Sequence, residues 1–483
     1  MHVNVSLCLL ILYLSSVSSR IQCEAVVDGK YEGLSSKLKI PHIASREVPR
    51  ATVGSQRSIL AAVTSSRAKG PASARLSAFN LAKCIGGVGI FALPAGVALY
   101  SDTRKALMPS AIICTLLGLT SAYTFILYGR ACSHYNTTTL KETWAKAVGA
   151  DSAWIISTSS SLKTIFTCLT FSIVIGDSFS SLAKSMGAPS FFYDRTNMIL
   201  LMSSIVVLPL CLLQSLAALA PFSAIGMMGS IYTAIFMTIR YLDGSYCQGG
   251  RFFHDLSPTL QPVFDTRPNS VSKLTLVLVS MLSTAYIAHY NAPNFYSELR
   301  NNTMRRFNAV ALTGFTSAIC LTLWVISTGF LTFGGNANGY ILNNYSGMDK
   351  LASIARFSIG VTIVTSYPFS FTALRTGVLD MFGVPVDKRS EINTAATLTI
   401  LGIITSAALV IRNVGFAVSF AGALFGNALM YVAPAIIEIC RTRSTGTATV
   451  TNLIVNHLIL VIGALLGLLG AGICVLKEMG KIG

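Results

Sequence analysis

An all-α membrane protein of about eleven transmembrane helices is the fold class predicted by two observations. The chain is poor in charge, and apolar runs of membrane-crossing length recur from Leu76 to the C-terminus. Hydrophobic residues make up 52% of the 483 residues and charged residues 11%, against about 25% charged residues in an ordinary soluble domain. About twenty apolar residues of helix cross the hydrocarbon layer. Such spans lie near residues 76–99, 107–129, 152–182, 197–213, 219–241, 271–298, 306–333, 350–375, 392–411, 414–439 and 453–475. The third, sixth and eighth hold more Ser, Thr and other polar residues than lipid tolerates, so they are expected to face the bundle interior.

The formal charge of +17 does not point to nucleic acid. Lys and Arg stand singly or in pairs between apolar spans, with no basic stripe carrying interleaved aromatics. Such charges belong to loops and tails that face water or anionic headgroups. Arg and Lys divide almost evenly between alternate loops, and only Arg57, Arg67, Lys69 and Arg75 favour a cytosolic N-terminus. Cys84, Cys114, Cys168, Cys211, Cys320 and Cys474 lie inside apolar segments, where a thiol behaves as a small hydrophobe. Neither a CxxC pair nor a His/Cys cluster occurs, so neither a metal site nor a disulfide framework is expected. The sequence contains no HExxH, GxSxG or GxxxxGK[ST] motif, which argues against an intramembrane enzyme and against an ATP-driven pump. No cofactor is implied.

Residues 1–74 read as a segment separate from a membrane domain at 75–483. Leu7 to Leu14 form a short apolar core followed by serines, as in a signal peptide, although the first residues lack positive charge. Val48 to Arg75 carries no acidic residue and resembles a transit peptide. A bipartite organelle presequence and a disordered cytosolic tail are both compatible with this pattern. The host membrane therefore stays open between organelle or endomembrane, plasma membrane and vacuole.

The first span carries the strongest chemical signal, Asn80-Leu-Ala-Lys-Cys-Ile-Gly-Gly-Val-Gly-Ile-Phe-Ala-Leu-Pro94. Each glycine costs about 1 kcal/mol in a helix relative to alanine, and the proline about 3. An unbroken helix is not expected there. Pro94 suits the first turn of a second half-helix, where its missing N–H costs little. A mid-membrane break frees backbone groups that must find partners; in transporters those partners are the substrate and the coupling ion. Close helix packing is the competing use of the glycines, but three in four residues do not follow small-xxx-small spacing.

A second interruption is expected in the sixth span, within Ala285-Tyr-Ile-Ala-His-Tyr-Asn-Ala-Pro-Asn-Phe-Tyr-Ser-Glu-Leu299, near His289 to Pro293. The first and sixth spans occupy corresponding positions in an inverted five-plus-five repeat, where paired interruptions point to a binding site. His289 itself reads either as a proton carrier or as a satisfied interior histidine.

With these motifs in hand, the chain resembles the amino acid/auxin permease family of transmembrane amino acid transporters. Gly87-Val-Gly-Ile-Phe-Ala-Leu-Pro94 resembles that family's first-helix motif. Ile175-Gly-Asp177, Ala288-His-Tyr-Asn-Ala-Pro293, Ser366-Tyr-Pro-Phe through Arg375, and Ser419-Phe-Ala-Gly-Ala-Leu-Phe-Gly-Asn427 with Ala433-Pro434 follow in order. The resemblance runs from Leu76 to the C-terminus. It implies a LeuT-like inverted repeat with broken helices 1 and 6, and amino acid transport by alternating access coupled to protons or sodium. It also implies that the backbone of Gly86, Gly87, Val88 and Gly89 receives the substrate carboxylate. Carbonyls around Ile287, Ala288 and His289 would take the ammonium group.

One position departs from the family's sodium-coupled branch. There an Asn in the first helix and a hydroxyl residue in the eighth contribute to a sodium site; the hydroxyl matches Ser366, but the Asn position is Lys83. An ammonium group there would repel sodium and could replace it, so proton coupling is expected over sodium. A lysine inside the membrane costs roughly 2.5–3.5 kcal/mol, which demands a partner or a purpose. The alternative is that Lys83 snorkels to the surface. Transport of polyamines or small organic acids on the same fold, or a channel or nutrient receptor that does not cycle, remain the alternatives to amino acid transport.

Overall fold

Among the described residues the helices group into eleven successive spans, joined mostly by short connections. The computed structural model describes residues 72–213, 222–265, 273–385 and 388–482. The targeting-like segment therefore lies almost wholly outside the described residues. The first span consists of α1 (Ala74–Ile85), a 3-10 turn (Val88–Ala92) and α2 (Leu93–Tyr100); the second is α3 (Leu107–Tyr135). A short amphipathic helix, α4 (Leu140–Ala147), leads into the third span, α5 (Ala153–Ser185). The fourth is α6 (Arg195–Leu201) and α7 (Leu208–Leu212) around a π-helical stretch, and the fifth is α8 (Phe222–Leu242). The sixth divides into α9 (Thr275–Ala285) and α10 (Ala292–Ser297). Then come α11 (Met304–Phe333), α12 (Lys350–Met381) and α13 (Arg389–Val410). The tenth span joins α14 (Val414–Ala421) to α15 (Ala433–Ser444) through two π-helical stretches, and α16 (Val450–Glu478) is the eleventh. Nine of these described segments are long and apolar enough to cross a membrane; the fifth and the divided sixth complete the set.

Both interruptions follow from local backbone chemistry. The α-helical ladder of α1 ends with Gly86 N–H donating to Ala82 C=O at 2.7 Å, and Pro94 sits in the first turn of α2. In the sixth span the ladder ends one turn earlier than the sequence suggests. Tyr286 N–H makes the last bond, to Leu282 C=O at 2.9 Å; Ile287 and Ala288 are unwound, and His289–Asn291 form a 3-10 turn. Pro293 does not mark the break but opens α10, at a position where no N–H is needed.

Packing shows the inverted relation of the two halves. Both halves of the first span lie on α11, the second helix of the second repeat, and both halves of the sixth lie on α3, the second helix of the first. Glycines allow the close approach: a Cβ on Gly314 would meet Leu81 at 2.8 Å, and one on Gly329 would meet Pro94 at 2.6 Å. The third and eighth spans, which correspond in the two repeats, run along each other. The eighth is less enclosed than its polar content suggests, and the tenth is the most enclosed. Its π-helical stretches leave carbonyls that other spans satisfy, as where Tyr128 Oη donates to Leu429 C=O at 2.9 Å.

The loop between the seventh and eighth spans folds over its own polar groups. Asn344, the acceptor of an Asn-Tyr-Ser glycosylation signal, is fully buried. Its amide nitrogen donates to Asn336 C=O at 2.8 Å and its oxygen accepts from Asn338 N–H at 2.7 Å. A glycan there is incompatible with the folded loop. Exposed Gly347 and Gly446 report topology better. Three spans separate them, so epitopes inserted after each are expected to be reached by antibody from opposite faces. Labelling of both from one face would remove a span from the count.

Candidate functional site

The two breaks meet inside the bundle. Asn291 Nδ2 approaches Cys84 Sγ at 3.7 Å, and the 3-10 turn of the first span packs on α9. Among the described residues, the N–H groups of Gly87, Val88 and Gly89 meet no backbone carbonyl and no side-chain acceptor. Three adjacent donors are thus left without a protein acceptor at the helix break.

The glycines differ from one another. A Cβ on Gly86 would crowd Ala82 C=O at 3.0 Å and Leu321 Cδ2 at 3.2 Å, so that glycine serves close packing. A Cβ on Gly87 would come no nearer than 3.9 Å to Cys84 C=O, and one on Gly89 would meet nothing within 4 Å. Gly87 has φ −70°, and Gly89 is not among the positive-φ residues. Neither packing nor conformation demands glycine at 87 or 89; what their missing side chains provide is open space beside the free N–H groups.

The sixth span supplies the opposite polarity. The carbonyls of Ala288 and His289 already accept from Asn291 N–H and Ala292 N–H, while that of Ile287 has no partner among the described residues. The His289 imidazole points away from the first span, into α3. Its Nε2 lies 3.0 Å from both Thr124 Oγ1 and Ser121 C=O. The Phe125, Tyr128 and Phe315 rings surround it, and Nδ1 meets no partner. The side chain pins the sixth span to the second, and any substrate contact of His289 falls to its backbone.

A cavity of about 60 Å³ lies beside the first break, between α1, α8 and α12. Lys83, Gly86, Gly87, Val88, Ser230, Thr362 and Ser366 are among its walls, so the structure brings Lys83 and Ser366 to the same small chamber. Its volume admits an ammonium group, an ion or a few waters but not an amino acid. At the opposite end of the bundle from the start of α1, a wider vestibule of about 510 Å³ reaches down to Ala95 and Met281. Arg195, Asp177, Asn343, Arg412 and Lys477 border it. Asp177, from the Ile-Gly-Asp motif, is tied to Arg195 at 2.7 Å and to Asn343 at 3.0 Å, so that motif locks the rim. Arg375 likewise locks the eighth span to the fourth and ninth, through Cys211 C=O at 3.0 Å and Thr397 Oγ1 at 2.7 Å.

Lys163, midway along the third span, is the residue that motif reading misses. It is buried, and its Nζ stands 4.5 Å from the centroid of the Tyr290 ring in the sixth-span break. The signal was a lysine near the middle of a 33-residue helix whose other charged residues, Asp177 and Lys184, lie toward its C-terminal end.

Comparison with known proteins places the chain among transporters. The family described as "Transmembrane amino acid transporter protein" matches residues 70–476. The chain belongs to that family. It is 24% identical over 385 residues to the "Putative sodium-coupled neutral amino acid transporter 11" of Danio rerio, covering 79% of this chain and 82% of the relative. It is 22% identical over 413 residues to an amino acid transporter of Arabidopsis thaliana, covering 81% of each. Vacuolar amino acid transporter 2 of Saccharomyces cerevisiae is 24% identical over 310 residues, with 63% of this chain and 61% of the relative covered. A solved sodium-coupled sialic acid symporter matches 82% of this chain and 89% of its own at 13% identity, with a TM-score of 0.43. The family and these relatives are transporters, not enzymes.

Proposed function

We propose that this family member moves amino acids by alternating access and that protons rather than sodium drive it. The observations that carry the reading are the empty space at Gly87 and Gly89 beside three unpaired N–H groups in the first break, and the unpartnered carbonyl of Ile287 in the sixth. An α-carboxylate suits the donors and an α-ammonium the acceptor, so a zwitterion uses both. A polyamine would leave the donors unused, and a small organic acid would leave the acceptor unused. The wide vestibule opposite the start of α1 supplies the route from one face.

Coupling rests on Lys83. A sodium site needs oxygen ligands without a competing cation, and here an ammonium group shares the chamber with the Ser366 and Thr362 hydroxyls. Sodium coupling, which the name of the Danio rerio relative carries, is the second reading. The vacuolar relative favours an acidic organelle as host, where a proton gradient is available.

The test is uptake by the purified chain in proteoliposomes, screened across amino acids with pH and sodium varied separately. Accumulation of a neutral amino acid against its gradient, driven by a pH difference without sodium, is the expected result. Equilibration without accumulation would indicate a channel, and binding without uptake a receptor. Arg412→Gln is expected to raise KM several-fold at low ionic strength with little change in maximal rate. This residue borders the vestibule and would act by attracting the carboxylate. An unchanged KM would remove it from the route.

A further inference from the structure

Lys163 lies deep among apolar groups without an acidic partner. Among the described residues it forms no ion pair, and the titratable groups that face it are Cys84 at the end of α1, Tyr290 in the sixth-span break and Cys168 on its own helix. An unpaired ammonium group in such a place is unfavourable unless something compensates it. Two features do so. The Tyr290 ring presents its face at 4.5 Å, the arrangement in which a desolvated cation is attracted to the ring quadrupole. The C-terminal turn of α1, which contains Cys84, carries the negative end of that half-helix.

These contacts join elements that alternating access must separate. Lys163 belongs to the third span, which runs along the eighth; Tyr290 and Cys84 belong to the broken sixth and first spans. Tyr290 stands at the head of α10 and also touches Cys84 and Asn291. Just beyond α10, the chain preceding α1 pairs with its exit, where Ala72 N–H donates to Glu298 C=O at 3.1 Å and Arg300 N–H to Ala72 C=O at 2.9 Å. The end of the bundle opposite the vestibule is therefore held shut at two depths, by main-chain pairing near the surface and by the Lys163–Tyr290 contact beneath the substrate position.

We propose that Lys163 and Tyr290 form the inner latch of the transport cycle: the ammonium group, stacked on the ring, holds the broken spans against the third span until substrate is bound. They are positioning residues, acting through the half-helices they hold rather than by touching substrate. The inference rests on the transport reading above, but its test does not.

Cys84, half-buried beside the contact, reports on the latch. In the purified full-length chain, the rate of its alkylation by a small neutral thiol reagent is followed by mass spectrometry. Lys163→Met and Tyr290→Leu are each expected to raise that rate about tenfold, which corresponds to about 1.4 kcal/mol, and the double variant no further. Lys163→Arg, which keeps a cation, is expected to stay within about twofold of the unmodified chain, and Tyr290→Phe, which keeps the ring face but loses the hydroxyl that touches Cys84, is expected to fall between the unmodified chain and Tyr290→Leu. In proteoliposomes, Lys163→Met should lower steady-state accumulation while exchange of labelled for unlabelled substrate continues. An unchanged alkylation rate in Lys163→Met, or Arg and Phe variants as reactive as the Met and Leu ones, overturns the latch. Should Lys163→Met fail to fold, the contrast between Tyr290→Leu and Tyr290→Phe decides for or against the latch alone. If alkylation responds as stated but no solute is taken up by the unmodified chain, the latch stands and the transport reading falls.

Discussion

Gly89→Val is expected to abolish uptake while leaving the protein folded and inserted. The added Cβ meets nothing within 4 Å, so the substitution crowds no packed neighbour. It would instead project an isopropyl group into the space beside the unpaired N–H groups of Gly87, Val88 and Gly89. Hydrogen bonds to a charged acceptor contribute about 1.5–3 kcal/mol each. Excluding the carboxylate from two of them removes about 3–6 kcal/mol, or roughly two to four decades in affinity. Gly86→Ala supplies the contrast. Its methyl group would press on Ala82 C=O at 3.0 Å and Leu321 Cδ2 at 3.2 Å, so it should lower thermal stability and leave a measurable KM in the surviving protein. Normal uptake by Gly89→Val would dissociate the first break from substrate binding, whatever its shape.

The contrast between these glycines shows what the sequence could and could not reveal. That the first span breaks at Gly86 and resumes at Pro94 is legible, because helix termination by Gly and Pro depends on a few adjacent residues. The sixth break is displaced toward Tyr286 because Pro293 is tolerated in the first turn of α10 and does not itself end the preceding helix. Which of the three glycines packs and which lies open is not legible, since it depends on where Leu321 of α11 falls. The same holds for side-chain direction elsewhere. His289 lies in the break, yet its ring turns into α3 because Thr124 and the Ser121 carbonyl wait there. Lys163 has no motif around it, and only the rotation of the third span brings it over Tyr290. The burial of Asn344 inside its glycosylation signal is likewise set by the loop fold, where Asn336 C=O accepts from its amide. The vestibule is assembled from the ends of spans distant in sequence, so no local pattern announces it.

Lys83→Asn is expected to uncouple uptake from pH and to make it respond to sodium. The substitution exchanges an ammonium group for a neutral amide whose oxygen can ligate a cation. The exchange takes place in a chamber of about 60 Å³ that already contains the Ser366 and Thr362 hydroxyls and the backbone of the break. A hard cation favours such an all-oxygen environment once the competing charge is gone. A one-unit pH gradient supplies about 1.4 kcal/mol per proton, sufficient for tenfold accumulation. The unmodified chain should reach that ratio without sodium, and Lys83→Asn should fall to equilibration unless sodium is present. The lysine can serve alternating access because the chamber joins different elements: Lys83 lies on the half-helix α1, Ser366 and Thr362 on α12. A bond that exists in one state and is lost in the other shifts the balance between them, and a proton that controls the bond then controls the shift. Lys83→Arg retains the charge but cannot release it, so it should bind substrate and fail to accumulate it. His289→Gln tests the competing carrier. With Nε2 committed to Thr124 and Ser121 and the ring enclosed by aromatics, that variant should lose stability while its surviving molecules keep their pH response. An unchanged pH profile in Lys83→Asn would make the lysine a snorkelling anchor and return the coupling question to Lys163, the other lysine beside the first break.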